Sequence, residues 1–391
     1  MLNDRMRVGV NAAFLGKSHN GQNTYVRGLI KAFEKYGSAS EEEYVIYTSA
    51  QGDVPSSPNF EWRRSPHWAS HDAERFGNVG RVLWTQFILP TLLLKDGIDI
   101  LLCPLADAPI VARTPRVVVV HDLIPLFYPQ ESPRLALYFR FVVPLFLRNA
   151  RRIMADSEHT KRDLVRAYGI GADQITVVSL GVDDCYFSDN CRCDAPAYCP
   201  DKYFLFVGAC LPRKNPLDVI RAFARVQSNL DEKLVLVTSV SGHLRELEGV
   251  VKELGLADRL VVYTGLPQQQ MLFLYRHATA LIFLSEYEGF GYPAAEALAS
   301  GSPAIVCDGT SLPEVVGDAG VIVRSGDLQA AAKAMTELAN DEILRKRLQD
   351  CGRLRSETFR WRAVVEDVRS VLLATLGNKH EGRLSHAALQ R

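Results

Sequence analysis

The sequence has no net charge and no long apolar run. Its 45 Lys and Arg residues balance 45 Asp and Glu residues, whereas a general nucleic-acid binder relies on a cationic surface. We therefore expect no nucleic-acid partner, although a local basic patch stays open. No uninterrupted apolar segment reaches the ~18 to 20 residues that span a bilayer, and the polar residues 1–7 do not resemble a secretion signal. We expect a cytoplasmic protein.

Cysteine is scarce, with eight residues in a chain of 391. This count excludes a small disulfide scaffold and favours free thiols. Four of the cysteines lie close together in the sequence: Cys185, Cys191, Cys193 and Cys199. A zinc site is the alternative interpretation, but no histidine joins these residues and their spacing is not that of a zinc ribbon. We favour solvent-facing thiols and predict no metal site.

Short β-branched or aliphatic runs alternate with longer helical patterns along the chain. This alternation is typical of parallel α/β structure, in which the strands are buried on both faces. The predicted strands span 7–10, 44–47, 98–103, 116–120, 152–155 and 175–178 in the first half, and 203–207, 234–238, 259–263, 280–284, 303–307 and 320–323 in the second. We therefore predict two doubly wound domains, which also suits a chain of this length.

A polar segment separates the two halves. Residues 184–202 are rich in Asp, Cys and Pro and show no apolar period, so we predict an interdomain linker there. The first domain then comprises 1–183 and the second 203–358. A further helical pattern covers 361–376. The polar end of the chain, 377–391, is predicted to be disordered.

The stretch LIFLSEYEGFGYPAAEALASG is the most informative motif. A buried strand leads into a loop with Glu288, Gly289 and Gly291, and a helix follows that carries Glu296. Glycines let backbone N–H groups approach a ligand closely, and the N-terminus of the helix favours an anion. The two glutamates are able to accept hydrogen bonds from two separate sets of hydroxyls. Alternatively, Glu288 caps the helix and Glu296 is a solvated helix residue.

A second motif, FLFVGACLPRKN, opens the second domain. A strand is followed by Gly208 and then by the adjacent cations Arg213 and Lys214. Arginine gives planar bidentate contact with phosphate and lysine a point charge, so this pair is suited to a diphosphate. The alternative is an exposed pair at the start of a helix, where the helix dipole disfavours cations. That mismatch favours an anionic ligand.

In the first domain, His121 directly follows the predicted strand 116–120. Open α/β sheets place ligand residues at the carboxyl ends of their strands, although a lone histidine is more often structural. Asp122 either orients this histidine or faces an acceptor. A further loop contains Asn20 and Gly21 and leads into a helix. It is not the Gly-x-Gly-x-x-Gly loop of a dehydrogenase.

The segment 281–301 resembles the Glu-x7-Glu signature of retaining nucleotide-sugar glycosyltransferases of glycosyltransferase family four. The resemblance implies the GT-B architecture, in which two facing Rossmann-like domains enclose the active site in the interdomain cleft. It also implies that Glu288 lies beside the donor sugar and that Glu296 binds the ribose. The basic pair, Arg213 and Lys214, matches the family's diphosphate-binding segment.

The same resemblance assigns further roles. His121 is expected to line the donor-sugar pocket, and Gly21 matches one glycine of the family's paired-glycine loop, in which Asn20 here replaces the other. The remaining donor-binding residues implied by the family motifs are Gly208, Gly289, Phe290 and Gly291. The helix 361–376 is expected to pack on the first domain. The family's chemistry is independent of metal, and we expect no cofactor.

The resemblance therefore predicts a retaining hexosyltransferase. The donor is a nucleoside diphosphate sugar and the acceptor a glycan or lipid-linked saccharide. The residues of the two motifs resemble those of bacterial polysaccharide mannosyl- and rhamnosyltransferases. This resemblance favours GDP-mannose as the donor and a role in polysaccharide or lipopolysaccharide biosynthesis. Donors carrying UDP or dTDP remain alternatives, as does a non-catalytic binding relative of the same fold.

One region departs from the neutral average. Between 131 and 170 there are eight Lys or Arg residues and four Asp or Glu residues, and the apolar run 135–147 lies among them. A basic, apolar helix is able to lie on an anionic membrane surface. The alternative, which we favour, is a half-buried helix packed on the first sheet. A membrane contact would place the protein at the inner face of the cytoplasmic membrane.

Overall fold

The computed structural model describes residues 5–16, 21–38, 41–70, 77–238 and 244–377. The chain divides into two compact units. The first unit comprises Met1–Gly181 and Trp361–Arg391, and the second comprises Val182–Arg360.

A seven-stranded parallel sheet forms the centre of the first unit. Its strands are β1 Met6–Asn11, β2 Glu42–Thr48, β3 Phe60–Arg64, β4 Ile100–Cys103, β5 Arg116–Val120, β6 Arg152–Ala155 and β7 Ile175–Val177, in the spatial order β3-β2-β1-β4-β5-β6-β7. All residues of β4 and β5 are buried. These strands are aliphatic along their whole length because helices cover both faces of a parallel sheet.

Helices pack on this sheet and complete its core. They are α1 Gly21–Tyr36, α2 Gly77–Leu83, α3 Leu89–Lys95, α4 Ile124–Phe127, α5 Pro133–Phe141, α6 Val143–Arg148 and α7 Glu158–Tyr168, with a π-helical turn at Trp84–Ile88. Trp84, Leu93 and Phe146 are fully buried against strand residues such as Val118. Ser157 caps α7 by accepting a hydrogen bond from the Thr160 amide.

The second unit contains a six-stranded parallel sheet in the order β10-β9-β8-β11-β12-β13. Its strands are β8 Tyr203–Val207, β9 Lys233–Thr238, β10 Leu260–Thr264, β11 Ala280–Phe283, β12 Ala304–Cys307 and β13 Gly320–Val323. Its helices are α8 Asp184–Phe187, α9 Pro216–Ala224, α10 Leu244–Glu253, α11 Gln268–His277, α12 Tyr292–Ala299, α13 Leu312–Val316, α14 Leu328–Asn340 and α15 Glu342–Ser356. The reversal of strand order between β8 and β11 is typical of doubly wound sheets, which bind ligands at such a point.

The last helix, α16 Trp361–Leu376, belongs to the first unit. Its first residue, Trp361, packs on two glycines, because a Cβ atom at Gly28 or at Gly181 would overlap the indole ring. Further along the helix, Arg369 Nε donates to Glu42 Oε1 at 2.7 Å. Helix α16 therefore contacts α1 and β2 of the first unit.

Three features differ from the sequence-based expectations or lie beyond them. The strand β3 was not predicted, because Phe60–Arg64 carries three charged residues and forms the edge of the sheet. The segment 184–202, predicted as an interdomain linker, is grouped with the second unit. There Arg276 donates hydrogen bonds to the carbonyls of Cys185, Ser188 and Cys191. Of the predicted disordered end, 377–391, only Gly377 lies within the described residues.

The structure shows neither a membrane-spanning helix in its described ranges nor a disulfide bond. Within the described ranges, no helix combines the length and the apolar character that crossing a bilayer requires. All eight cysteines are free thiols.

Candidate functional site

The predicted cations of the second unit lie in one tight turn. Pro212–Lys214 forms a single 3-10 turn between β8 and α9. Asn215 follows with a left-handed backbone, φ 51°, and its Nδ2 donates to the carbonyl of Leu284 at 3.1 Å. This bond ties the turn to the end of β11, so that Arg213 and Lys214 lie at the carboxyl ends of two neighbouring strands.

Both cations contact Glu288. The Lys214 ammonium is hydrogen-bonded to the Glu288 carboxylate, and Arg213 Nη1 lies 3.8 Å from Glu288 Oε1. Arg213 also donates to the Tyr287 carbonyl at 2.8 Å. Arg213 is 5% exposed and Glu288 is 7% exposed. Because one buried and one half-buried cation face one carboxylate, the cluster carries an excess positive charge that suits an anionic ligand.

The alternative in which Glu288 caps the following helix is not observed. The N-cap of α12 is Gly291, and no side chain caps this helix. Gly291 has a φ of 109°, and a Cβ atom there would overlap Leu312. Glycine is therefore required at this position by both backbone conformation and space.

Two hydroxyl side chains hold the glycine loop from a neighbouring segment. The Glu288 amide donates to Thr310 Oγ1 at 3.0 Å, and Ser311 Oγ donates to the carbonyls of Glu288 at 3.0 Å and Phe290 at 2.8 Å. The sequence motifs do not predict these bonds, because Thr310 and Ser311 lie outside the stretch 281–301. The sequence feature that indicates the contact is the position of Thr310 and Ser311 after β12. This strand pairs with β11, which leads into the glycine loop.

Glu296 lies on α12, one to two turns beyond the glycine loop. It accepts a hydrogen bond from the Tyr275 hydroxyl at 2.8 Å, and the Tyr275 ring meets Tyr186 edge to face. Burial raises the pKa of Glu296 to about 7, against the opposing effect of the Tyr275 hydrogen bond, and Asp183 adds to the increase. The Glu296 carboxyl group is thus buried and hydrogen-bonded to Tyr275, and it is not the solvated helix residue of the alternative interpretation.

In the first unit, His121 directly follows β5, as predicted. Its Nδ1 lies 2.8 Å from Asp156 Oδ2, and its Nε2 lies 3.0 Å from the Pro104 carbonyl. Burial lowers the pKa of His121, but the Asp156 carboxylate and weaker contributions from Asp122 and Pro104 outweigh this effect and raise the pKa. Two acceptors around one ring favour the doubly protonated form.

Asp156, the partner of His121, was not among the residues predicted for the site. The signal is the register of the sheet: Val120 pairs with Ala155, so the next residues, His121 and Asp156, leave adjacent strands together. Burial raises the pKa of Asp156, and His121 opposes that increase. Asp122 Oδ1 accepts a hydrogen bond from the Ile124 amide at 2.9 Å.

Gly21 and Gly208, which were also predicted for the site, have room for a Cβ atom, unlike Gly291. Gly21 is the first residue of α1, and a Cβ atom there would meet nothing within 4 Å. At Gly208 the nearest atom would lie 3.4 Å away, an ordinary contact. The protein itself therefore does not require glycine at either position. Asn20 lies outside the described residues.

A cavity of about 210 Å³ opens beside His121 in the first unit. Its polar lining includes Gln22, Asp107 and Asp122, and its aromatic lining includes Phe14. For metals, no cluster of three or more His, Cys, Asp or Glu side chains suited to an ion occurs in the part of the chain that the structure describes.

Two family models match the chain. The family model for Glycosyltransferase Family 4 matches residues 19–185, and the model for Glycosyl transferases group 1 matches residues 194–355. The O-antigen chain mannosyltransferase RfbU of Salmonella typhimurium is 25% identical over 336 residues, which cover 84% of this chain and 91% of the relative.

Two solved structures share the fold. Sucrose-phosphate synthase of Thermosynechococcus elongatus superposes with a TM-score of 0.72 at 21% identity, covering 94% of this chain and 98% of the other. HepE of Anabaena, solved with UDP and glucose, superposes with a TM-score of 0.68 at 17% identity, covering 94% and 99%. Since the two family models together match 19–185 and 194–355, the chain belongs to glycosyltransferase family 4 and is a glycosyltransferase with the two-domain GT-B fold.

Proposed function

We propose that this glycosyltransferase transfers mannose from GDP-mannose to a saccharide acceptor, with retention of anomeric configuration, in the synthesis of a polysaccharide or cell-envelope glycan. The observation that carries the proposal is the contact of the buried Arg213 and the half-buried Lys214 with Glu288. The choice of mannose rests on the similarity to RfbU, whose name describes an O-antigen chain mannosyltransferase. A UDP-sugar donor is the second candidate, because HepE was solved with UDP and glucose.

The cations act on the departing diphosphate. As the bond between the anomeric carbon and the phosphate oxygen breaks, negative charge develops on the diphosphate, and buried, preoriented donors stabilise it strongly. Arg213 supplies a planar guanidinium and Lys214 a point charge. The N-terminus of α12 adds the positive end of a helix dipole beside Gly291.

Glu288 orients the cations before the donor binds. Its carboxylate keeps both cationic side chains directed to one place in a buried environment. Glu296 accepts hydrogen bonds from the ribose hydroxyls, which fixes the nucleoside end of the donor. The diphosphate takes the acceptor proton on the face that it leaves, so no separate general base is assigned. Positive charge from the protein replaces a metal, and EDTA is expected to leave transfer unchanged.

Replacing the lysine tests the proposal. Lys214→Ala is expected to lower transfer about 10²- to 10³-fold, the usual loss when one stabilising donor is removed from a developing anion. The matched control is Lys333→Ala, which removes an exposed lysine of α14 that pairs with Glu337. Thermal melting shows whether both variants fold. Wild-type transfer by Lys214→Ala would refute the diphosphate assignment.

We also propose that α5 and α6 contact an anionic membrane surface, which would bring a lipid-linked acceptor to the enzyme. Leu137 and Phe141, one turn apart on α5, are 60% and 61% exposed. Arg140 and Arg148 lie on the same two helices, and arginines flanking exposed apolar side chains suit anionic lipid. Phe146 is nevertheless buried in the core, so the two helices pack on the sheet with one face and leave another exposed.

Vesicle flotation tests the membrane contact. The wild-type chain is expected to float with vesicles that contain phosphatidylglycerol, and Leu137→Ser with Phe141→Ser is expected to weaken this binding. The control is Ile343→Ser, because Ile343 is an exposed apolar residue of the second unit. Failure of the wild-type chain to float, or equal loss in the control, would remove the proposal.

A further inference from the structure

Two thiols contact each other in the segment 184–202. The Cys185 thiol donates a hydrogen bond to the Cys191 thiol, and this bond is the largest of the effects that raise the pKa of Cys185 to about 12. Both cysteines are half-buried, so neither is enclosed in a core. Paired thiols outside a core are the type that oxidants convert to disulfides, whereas buried single cysteines are inert.

One arginine holds the backbones of the two cysteines together. Arg276 Nη2 donates to the Cys185 carbonyl at 3.1 Å, and Nη1 donates to the Cys191 carbonyl at 3.3 Å. Between the two cysteines, the Ser188 amide donates to the Cys185 carbonyl at 3.4 Å, and the Cys191 amide donates to the Ser188 carbonyl at 3.1 Å. These bonds close the loop 185–191 and bring its two ends to one guanidinium. A disulfide requires such a close approach of the two backbones.

The other cysteines have different surroundings. Cys193 and Cys199 lie in the same segment, and Cys199 Sγ donates to the carbonyl of its neighbour Pro200 at 3.7 Å. Cys351 lies on α15. A core position keeps oxidants away from a thiol, and this applies to three cysteines: Cys103, Cys210 and Cys307. Cys193, which is half-buried and lies two residues from the pair, is therefore the matched control for Cys191.

The thiol pair lies next to an aromatic contact that supports Glu296. Tyr186 follows Cys185 on α8, and its ring meets the Tyr275 ring edge to face, with 5.7 Å between the ring centroids. The Tyr275 hydroxyl in turn donates to Glu296 at 2.8 Å. Burial raises the pKa of Tyr186, and the nearby Glu296, Asp183 and Cys185 groups add to the increase. A movement of Cys185 is therefore passed to Tyr186 and on to the hydrogen-bond donor of Glu296.

We infer that Cys185 and Cys191 form a disulfide on reaction with hydrogen peroxide, and that this bond lowers the affinity of the chain for its nucleotide-sugar donor. The effect on affinity rests on the proposed function, because it takes Glu296 as a residue that binds the donor, whereas the disulfide itself does not. A disulfide sets two sulfur atoms about 2.05 Å apart, closer than hydrogen-bonded thiols. The ends of the loop 185–191 therefore draw together and displace Tyr186, and a Glu296 that is held less firmly binds the ribose more weakly.

The reaction balances with the peroxide as the oxidant. The Cys191 sulfur attacks one peroxide oxygen, the O–O bond breaks, and water leaves a sulfenic acid on Cys191. The Cys185 sulfur then attacks the sulfenic sulfur, the S–O bond breaks, and a second water leaves as the S–S bond forms. The sulfur atoms lose the electron pair that the peroxide oxygens gain, and the thiol protons end in the waters. Cys191 attacks first because it accepts the hydrogen bond through which Cys185 keeps its proton.

Peptide mapping tests the disulfide directly. The reduced wild-type chain is treated with hydrogen peroxide, the remaining thiols are alkylated, and trypsin releases the peptide 167–192, which contains Cys185 and Cys191 but not Cys193. Oxidation is expected to yield this peptide without alkyl groups, and dithiothreitol is expected to restore alkylation of both thiols. Cys185→Ser and Cys191→Ser should each prevent the disulfide, whereas the control Cys193→Ser should form it like the wild type.

Calorimetric titration with GDP-mannose and with UDP-glucose tests the effect on the donor. The oxidised wild-type chain is expected to bind its donor at least about threefold more weakly than the reduced chain. Cys185→Ser should bind equally before and after peroxide treatment.

Two mapping results would overturn the disulfide: a sulfinic acid in 167–192 that dithiothreitol does not reverse, or a bond from Cys185 or Cys191 to a different cysteine. Equal donor affinity of the oxidised and reduced wild-type chains would overturn the link with Glu296. Failure of the proposed function is distinct, because the reduced chain would then bind no nucleotide sugar while peptide mapping still decides whether the disulfide forms.

Discussion

Donor affinity is expected to increase between pH 6 and pH 8 through ionisation of Glu296. Burial raises the pKa of this carboxyl to about 7, so about a tenth of the molecules are ionised at pH 6 and about nine tenths at pH 8. Ribose hydroxyls donate hydrogen bonds, and they favour the carboxylate over the carboxylic acid. Binding should therefore release a proton near pH 7.

The magnitude follows from the ionised fractions. If only the carboxylate binds the ribose, affinity increases about tenfold over this range, which corresponds to about 1.4 kcal/mol. The diphosphate of a nucleotide sugar is esterified at both ends and does not titrate in this range. Isothermal titration calorimetry at pH 6, 7 and 8 measures the change, and Glu296→Gln is the comparison, because glutamine accepts from Tyr275 but does not ionise. Constant wild-type affinity, or an equal increase in Glu296→Gln, would refute the reasoning.

Three further predictions concern stability and the histidine pair. Because the folded pKa of Glu296 lies above its unfolded value of about 4.5, its contribution to stability is lost as pH rises through 7, and Glu296→Gln should melt higher than the wild type at pH 8. Gly28→Ala should destabilise the first unit by about 1–3 kcal/mol through overlap with Trp361, whereas Gly249→Ala, which meets nothing within 4 Å, should not; equal melting temperatures would contradict this. Asp156→Asn should lower the pKa of His121 in an NMR titration, and an unchanged pKa would be contrary evidence.

The fold was largely predictable because parallel strands buried on both faces leave a continuous aliphatic signal. The runs at β5 and β11, for example, are entirely buried. β3 gave no such signal, because its charged side chains lie at an edge of the sheet. The contacts of the segment 184–202 were not predictable for a related reason. The segment has no apolar period. Arg276 holds it in place by donating hydrogen bonds to three of its backbone carbonyls.

The candidate site was predictable where residues are adjacent in a motif. Arg213, Lys214 and Glu288 follow two buried strands, and their contact follows from the pairing of β8 with β11. The partner of His121 was not found, since Asp156 is 35 residues away in the sequence. The pairing of Asp107 with Arg81 joins α2 to a loop after β4, and no local pattern in the sequence predicts such a contact.

Thermal stabilisation by a donor panel tests the central claim most directly. A ligand that binds only the native state raises apparent stability in proportion to the logarithm of its concentration over Kd. Among GDP-mannose, UDP-glucose, dTDP-rhamnose and ADP-glucose at equal concentration, GDP-mannose is expected to raise the melting temperature most, and Lys214→Ala is expected to lose this increase. No stabilisation of the wild-type chain by any nucleotide sugar, or equal stabilisation of Lys214→Ala, would contradict the account. A larger increase with another donor would overturn the choice of GDP-mannose.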